Sequence, residues 1–331
     1  MLLNLFNFIP KNTKKIAVAV SGGCDSLALT FLLQEFCQEA NIKLYAITVD
    51  HKMRLSSSKE AANLSRLLIK QQITHRILAV DSKDVPTSNK EANMRGLRYG
   101  LLYNFCKEEG IDHLFLGHHI GDIAENFLIR LFRGSGLDGL SPIKEVVDYK
   151  DIKLIRPLLE VKKEDLKRYL EDNKISWFED ESNKDEKFLR NKIRNFLETF
   201  EEKELINQRI KNTSDEISQI RDFFDDKMLG HAKEILEFQN KEEPKFLIDS
   251  NKLQKLDEKY ALKILSLVFM EISRRDYKPR LKELKKFYED LKSNIVRDFY
   301  GCSVSKPEKL EIVKREKAQE DFYFRTIIRN A

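Results

Sequence analysis

Short apolar runs alternate with amphipathic helical segments through the first half of the chain, and this alternation restricts the fold more than any other feature. Residues 16–20 (IAVAV) form a compact run rich in β-branched residues that ends just before Gly22 and Gly23. Residues 27–40 then keep helical spacing through Leu29, Leu32, Leu33 and Phe36. The pattern repeats. KLYAITVD (43–50) precedes a helix opened by the serines at 56–58, with Leu64, Leu67 and Leu68 on one face. HRILAV (75–80) precedes a helix that Gly110 closes, and DHLFLGH (112–118) leads into DIAENFLIRLF. Strand, helix, strand, helix predicts parallel strands joined by right-handed crossovers, hence a doubly wound α/β sheet. Such sheets bind ligands at the carboxyl ends of their strands. The polar clusters SGGCDS, VDH and GHHIGD all fall there.

From about residue 146 the pattern loosens into an extended stretch, VVDYKDIKLIRPL, followed by helices at KKEDLKRYLEDNKI and FLRNKIRNFLETF. The rest reads as mainly helical, with a tail after 300 that alternates more like strands. This predicts two domains, 1–205 and 206–331, and 331 residues are enough for two cores. Residues 274–297 hold nine Lys/Arg against four Asp/Glu, with Tyr277, Phe287 and Tyr288 interleaved. Basic and aromatic residues together suit RNA, and a charged helix face over aromatic core residues explains the same letters.

Composition removes several classes. No apolar run approaches the roughly 20 residues of a membrane span. The first fifteen residues lack a small-residue cleavage site and read as a native N-terminus. Cys24, Cys37, Cys106 and Cys302 are scattered with no C-x-x-C, which leaves no zinc ribbon and no disulfide framework; a reducing cytoplasm is expected. The 59 Lys+Arg against 54 Asp+Glu give a net charge of +5, which neither identifies nor opposes a nucleic-acid binder.

Ser21-Gly22-Gly23-Cys24-Asp25-Ser26 follows a strand and opens a helix, where free N–H groups and the helix dipole attract an anion. Ser21 and Ser26 add hydroxyl donors. Asp25 cannot bind phosphate by charge, so its expected task is to hold Mg²⁺ beside it. A Walker A sequence is absent. His118 and Asp122 lie four apart across a strand-to-helix turn and can face one ligand. Arg95 with Arg98 could grip phosphate or carboxylate, and Arg190 with Arg194 the RNA backbone or a leaving phosphate. For both pairs a solvated helix face is the plain alternative. Trp177 is expected to be structural.

SGGCDS resembles the PP-loop of the N-type ATP pyrophosphatases, which cleave ATP between the α- and β-phosphates and adenylate a carbonyl oxygen. Further stretches resemble the tRNA(Ile)-lysidine synthetases within that superfamily. They are Val49-Asp50-His51 with Arg54 and Ser56; Arg95, Arg98 and Tyr99; and 116–126, LGHHIGDIAEN, with Gly121 where the family has Asp and Asn126 where it has Thr. Arg130, Arg133-Gly134-Ser135-Gly136 and Gly139-Leu140 follow, then Arg156-Pro157-Leu158-Leu159. Trp177, Asp180, Ser182, Asn183, Arg190, Asn191 and Arg194 complete a likeness that spans about 15–196 in order.

The resemblance implies an adenine nucleotide alpha hydrolase-like catalytic domain followed by a mainly helical tRNA-binding domain. It implies ligation of free L-lysine to position 2 of the wobble cytidine of tRNA(Ile) with a CAU anticodon, with ATP and Mg²⁺. Lysidine then pairs with A instead of G. Asp25, His118 and Asp122 are the expected catalytic groups. Ser21, Gly22, Gly23, Cys24, Asp25, Ser26, Asp50, His51, Arg98 and Gly117 would bind ATP, and Arg95, Glu125, Arg133, Arg190 and Arg194 lysine or tRNA. Many members of that family carry a further C-terminal module, which these residues are expected to lack in whole or in most part, and a homodimer is compatible with the pattern. Two rivals stand: a PP-loop tRNA thiolase, which would normally need catalytic or cluster-binding cysteines, and a non-catalytic RNA binder with a degenerate ATP site.

Overall fold

The structure is a computed structural model in which residues 7–50, 57–80, 90–178, 189–239, 245–275, 277–306 and 309–314 are described. Two compact units divide it, Met1–Ser218 and Gln219–Ala331. The division falls inside a 33-residue helix, Lys203–Ile235, rather than at its start, thirteen residues beyond the boundary at 205 read from the sequence pattern.

The first unit is the expected doubly wound sheet. β1 (Lys15–Ala19), β2 (Lys43–Asp50), β3 (Thr74–Ala79), β4 (His113–Leu116), β5 (Val146–Tyr149) and β6 (Ile152–Ile155) lie in the order β3-β2-β1-β4-β6-β5. All pairings are parallel except β5 on β6. The stretch read as an extended excursion is thus a hairpin: its second strand is the fifth parallel strand and its first an antiparallel edge. The strand order reverses between β1 and β4, and that crevice is where doubly wound sheets bind ligands.

Strand side chains alternate between two cores, as period two requires. Ile16, Val18, Leu44, Ala46, Phe115 and Ile155 face one layer, with α1 (Cys24–Ala40), α2 (Ser57–Lys70) and α6 (Lys163–Asp172) packed on it. Ala17, Tyr45, Ile47, Leu114, Leu116 and Leu154 face the other, covered by α3 (Lys90–Glu109) through Tyr99, Leu102 and Phe105. Trp177 packs against the first core, as expected of a structural residue. Past β4 run α4 (Ile120–Phe132), the short α5 (Leu137–Leu140), α7 (Leu189–Glu198) and the long α8. Ala124, Ile193 and Leu197 form a small third cluster between α4 and α7.

The second unit is mainly helical, with α9 (Ser250–Lys255), α10 (Glu258–Ser273) and α11 (Leu281–Lys292), the first two capped by Asp249 and Asp257. It also holds an antiparallel sheet of β7 (Leu236–Gln239), β8 (Lys245–Ile248), β10 (Leu310–Lys314) and β9 (Cys302–Ser305), in that order. The strand-like tail noted in the sequence supplies half of it. Phe287 and Tyr288 are 3% and 1% exposed and belong to this core, so they are not available to RNA; Tyr277, 67% exposed, is.

Candidate active site

The loop between β1 and α1 is built for an anion. Gly22 has φ +88°, a left-handed conformation that a side chain resists, and an added Cβ would meet the Phe178 ring at 2.9 Å. The Phe178 N–H in turn donates to the Gly22 carbonyl at 3.0 Å. Gly23 is the N-cap of α1 and offers no side chain, so the first N–H groups of the helix stay open toward a ligand. Ser26 accepts from the Ser21 N–H and lies 3.1 Å from the Ser21 hydroxyl, which keeps both hydroxyls at the loop mouth. Gly117, at the exit of β4, lies so close to α1 that a Cβ would sit 2.9 Å from Ser26 Cα. That approach brings the GHH segment against the loop.

Asp25 projects from the first turn of α1, and its Oδ1 is buried without a hydrogen-bond partner. A buried carboxylate oxygen left unpaired is costly, on the order of 1–3 kcal/mol. A hard cation could satisfy such an oxygen, and Mg²⁺ characteristically takes one or two carboxylates plus substrate phosphates. Among the described residues no group of three His, Cys, Asp or Glu could hold a metal ion.

Opposite Asp25, His119 caps α4. Its Nδ1 accepts from the Gly121 N–H at 3.0 Å, while the Asp122 carboxylate accepts from the His119 N–H at 3.0 Å. With Nδ1 used as acceptor, a ring proton sits on Nε2. That atom lies 3.7 Å from Asp25 Oδ2 and 3.7 Å from Asp122 Oδ2, so one imidazole stands between the carboxylate of the loop and that of α4. The sequence offers a helix cap for the His118-His119 pair as the plain alternative to ligand contact, and His119 forms that cap. The signal was Gly121: a Cβ there would sit 2.6 Å from His119 Cε1, so the ring occupies the space that a side chain at 121 would take. We therefore expect Gly121→Ala, like Gly121→Asp, to displace the ring and weaken the cap. Stability should fall by about 1 kcal/mol and adenylation should drop. Gly100→Ala in α3, where an added Cβ meets nothing within 4 Å, should instead be neutral or stabilising in thermal melts. An unaltered melting temperature and rate in Gly121→Ala would show that the ring is not held this way.

Asp122 and Glu125 are bound by the two arginines of α7. Arg190 donates from Nε to Glu125 at 2.7 Å and from its terminal nitrogen to Asp122 at 2.6 Å. Arg194 donates to both Glu125 oxygens, at 2.7 and 3.2 Å. The forks expected to meet RNA or a leaving phosphate are therefore engaged by carboxylates. Burial raises the Asp122 carboxyl, but His119, His118, Arg190 and the His119 N–H outweigh it and hold it below the usual range. Asp25, Asp122 and Glu125 against Arg190 and Arg194 leave one net negative charge.

His118 is half-buried, with its Nδ1 buried and unpartnered. Burial and the guanidiniums of Arg156, Arg95 and Arg98 push its imidazole down to about 4 against the pull of Asp122. It is neutral near pH 7 and too weak a base to deprotonate an ammonium efficiently. Asp50 holds the start of α2: its two oxygens accept from the Ser57 and Ser58 hydroxyls at 2.8 Å each. Arg133 is exposed at the C-terminus of α4. His51, with Arg54, Ser56, Asp180, Ser182 and Asn183, lies outside the described residues. Cys24, Cys37, Cys106 and Cys302 are all buried. Burial, helped by Asp25, pushes the Cys24 thiol up to about 11, the opposite of an activated thiolate.

Comparison with known proteins agrees with this geometry. The PP-loop domain family matches residues 2–200. The tRNA(Ile)-lysidine synthase of Orientia tsutsugamushi is 42% identical over 185 residues, covering 56% of this chain and 42% of that protein. Those of Rickettsia typhi and Wolbachia pipientis wMel are 32% and 30% identical over 91% and 96% of this chain, and 70% and 74% of theirs. The chain thus spans less than half of the first relative in the matched region and about seven-tenths of the other two. Among solved structures, the U34-tRNA thiolase NcsA from Methanococcus maripaludis, with its 4Fe-4S cluster, superposes with a TM-score of 0.52 at 20% identity. That match covers 62% of this chain and 72% of that one, and establishes a shared fold. The phosphate loop, the His-capped α4 and the extent of these matches agree: the chain belongs to the tRNA(Ile)-lysidine synthase family of PP-loop proteins.

Proposed function

We propose that this chain joins the ε-amine of free lysine to C2 of the wobble cytidine in the CAU anticodon of tRNA(Ile), at the expense of ATP. One observation carries the reading. An anion loop with an unpaired carboxylate, Asp25, and the α4 carboxylates Asp122 and Glu125, charge-balanced by Arg190 and Arg194, meet across a single imidazole whose Nε2 lies 3.7 Å from Asp25 and from Asp122. The first suits ATP, and the second offers carboxylates to the ammonium of lysine.

Activation has to come first, because the cytosine oxygen is a poor leaving group until it carries AMP. The first N–H groups of α1, with the Ser21 and Ser26 hydroxyls, bind and orient the phosphates, and Gly117 lets the GHH segment pack against the loop. Mg²⁺, which Asp25 would hold, supplies charge neutralisation for the departing pyrophosphate. Base O2 attacks the α-phosphorus, and the bond to the β-phosphate oxygen breaks. Asp122 and Glu125 then orient the lysine, whose nitrogen attacks C2 as AMP leaves with the oxygen. The same carboxylates favour the ammonium, while attack requires the neutral amine. With His118 neutral and weakly basic, the transfer step should accelerate as pH rises toward the range where lysine deprotonates.

Arg133 and the second unit are the proposed tRNA contacts. In that unit Arg275 stacks on Tyr300 at 4.4 Å beside the exposed Tyr277, a pairing suited to unstacked bases. The cytoplasm is the proposed location; among the described residues no helix is long and apolar enough to cross a membrane. Pyrophosphate exchange into ATP should require tRNA(Ile) with a CAU anticodon, and labelled lysine should enter that RNA alone. Exchange that proceeds without tRNA would overturn the reading. A thiolase would need a reactive thiol, and the buried Cys24 argues against one.

A further inference from the structure

Two buried polar side chains meet on the face of the first sheet that carries α1 and α2. His75 of β3 is the ladder partner of Ala46, so its ring emerges beside the core residues Leu44 and Ala46 of β2. Thr48 follows two residues later on the same face. Thr48 and His75 are 7% and 8% exposed. The Thr48 hydroxyl donates to the Val20 carbonyl at 2.9 Å and lies 2.9 Å from His75 Nε2. A hydroxyl has one proton, and the carbonyl can only accept it. The imidazole therefore donates from Nε2 to the Thr48 oxygen. Burial, with the Arg76 charge nearby, pushes the His75 imidazole down to about 4, so the ring is neutral near pH 7. Its Nδ1 is then a bare acceptor, and it is buried without a hydrogen-bond partner.

Packing does not explain this pair. A leucine at 75 would fill the layer without leaving an unsatisfied acceptor, which destabilises the fold. What the pair holds is one peptide group. Val20 follows the last residue of β1 and precedes Ser21, where the loop begins. Its N–H donates to the Ile47 carbonyl at 2.9 Å, extending the ladder by one residue. The peptide that joins Val20 to Ser21 is then gripped at both ends. Its carbonyl accepts from Thr48, and its N–H donates to the Ser26 hydroxyl oxygen at 3.1 Å. The carbonyl and N–H of a trans peptide point in opposite directions, so the two bonds together fix its plane. The Ser26 hydroxyl also donates to the Gly23 carbonyl and lies 3.1 Å from the Ser21 hydroxyl. Rotating that one peptide would therefore redirect both serines.

We propose that Thr48 and His75 are positioning residues for the reaction: their hydrogen bonds, running from β3 across β2 to the end of β1, set the plane of the Val20–Ser21 peptide and with it the direction of the Ser21 and Ser26 hydroxyls. The inference rests on the ATP-cleaving reading above. Both residues act through the peptide and not by contact with a ligand. Their effects are graded by distance from the loop. Without Thr48 the Val20 carbonyl loses its partner outright. Without His75 the hydroxyl still reaches that carbonyl, but nothing holds its oxygen from behind.

The test is calorimetric titration of the whole chain with ATP in magnesium buffer, without tRNA, beside thermal melts. Thr48→Val keeps the shape and removes the hydroxyl, and should weaken ATP binding about tenfold, the weight of one hydrogen bond. Thr48→Ser keeps the hydroxyl and should stay within about threefold of the parent. His75→Leu should weaken ATP binding about threefold while the melting temperature holds or rises, because the unpaired Nδ1 is gone. In lysine incorporation the KM for ATP should rise in the same order, with the KM for lysine unchanged. If Thr48→Val loses its native circular dichroism, His75→Leu decides alone. Unchanged ATP affinity in the folded variants, with only a lower melting temperature, overturns the proposal and makes the pair structural. So does an ATP affinity in Thr48→Ser as poor as in Thr48→Val. Should ATP binding follow the expected order while tRNA triggers no pyrophosphate release, the reaction assigned above fails and the positioning role stands.

Discussion

Replacing Asp25 by Ala or Asn should stop adenylate formation while leaving the fold intact or slightly more stable. The carboxylate projects from the first turn of a helix whose N-cap is the backbone of Gly23, so its removal costs no capping hydrogen bond. Its Oδ1 is buried and unpaired, and its Oδ2 lies 3.7 Å from His119 Nε2, beyond hydrogen-bond range. A residue kept in such a state contributes to function at a cost in stability, and neutralising it should raise the melting temperature or leave it unchanged. tRNA-dependent pyrophosphate release should fall by at least two orders of magnitude, because the phosphates lose the group proposed to hold Mg²⁺. The two readouts move in opposite directions, which separates this effect from general damage. Near-normal pyrophosphate release in Asp25→Asn would remove Asp25 from the reaction.

The frame that positions Asp25 was legible in the sequence because it depends on local periodicity. The β-branched run before the glycines, and the helical spacing through Leu29, Leu32, Leu33 and Phe36, specify a strand and a helix without reference to distant residues. The β5–β6 hairpin was harder to see. Its first strand is an edge with exposed positions, and its partner β4 lies some forty residues earlier, so only the tertiary pairing marks Ile152–Ile155 as a central strand. The same limit applied to charge. Arg190 and Arg194 read as a phosphate fork because their spacing gives their common helix face and says nothing of what that face meets. Glu125 and Asp122, more than sixty residues away, take up those donors. Which of the two histidines caps α4 was open for a related reason: the choice depends on the absence of a side chain at Gly121, whose space the His119 ring fills.

Glu125 should control the second half of the reaction as Asp25 controls the first. It is 5% exposed and accepts from both arginines of α7, so it is at once the main polar link between α4 and α7 and the most deeply placed of the proposed lysine carboxylates. Glu125→Gln preserves shape and removes the charge. Breaking a buried pair costs ~3–5 kcal/mol, and because Arg190 and Arg194 remain 29% and 26% exposed, water can recover part of that. A loss near 2 kcal/mol is therefore expected in denaturant titrations. The catalytic loss should be larger and selective. Lysine incorporation should drop at least a hundredfold, while tRNA-dependent pyrophosphate release stays within a few-fold of the parent, since no part of the phosphate loop touches Glu125. Arg194→Gln supplies the control. It disturbs the same helix contact but leaves the carboxylate in place, so it should lose comparable stability and much less lysine transfer. Equal damage to both half-reactions in Glu125→Gln would mean that the α4–α7 contact shapes the whole crevice, and that the cation site lies elsewhere.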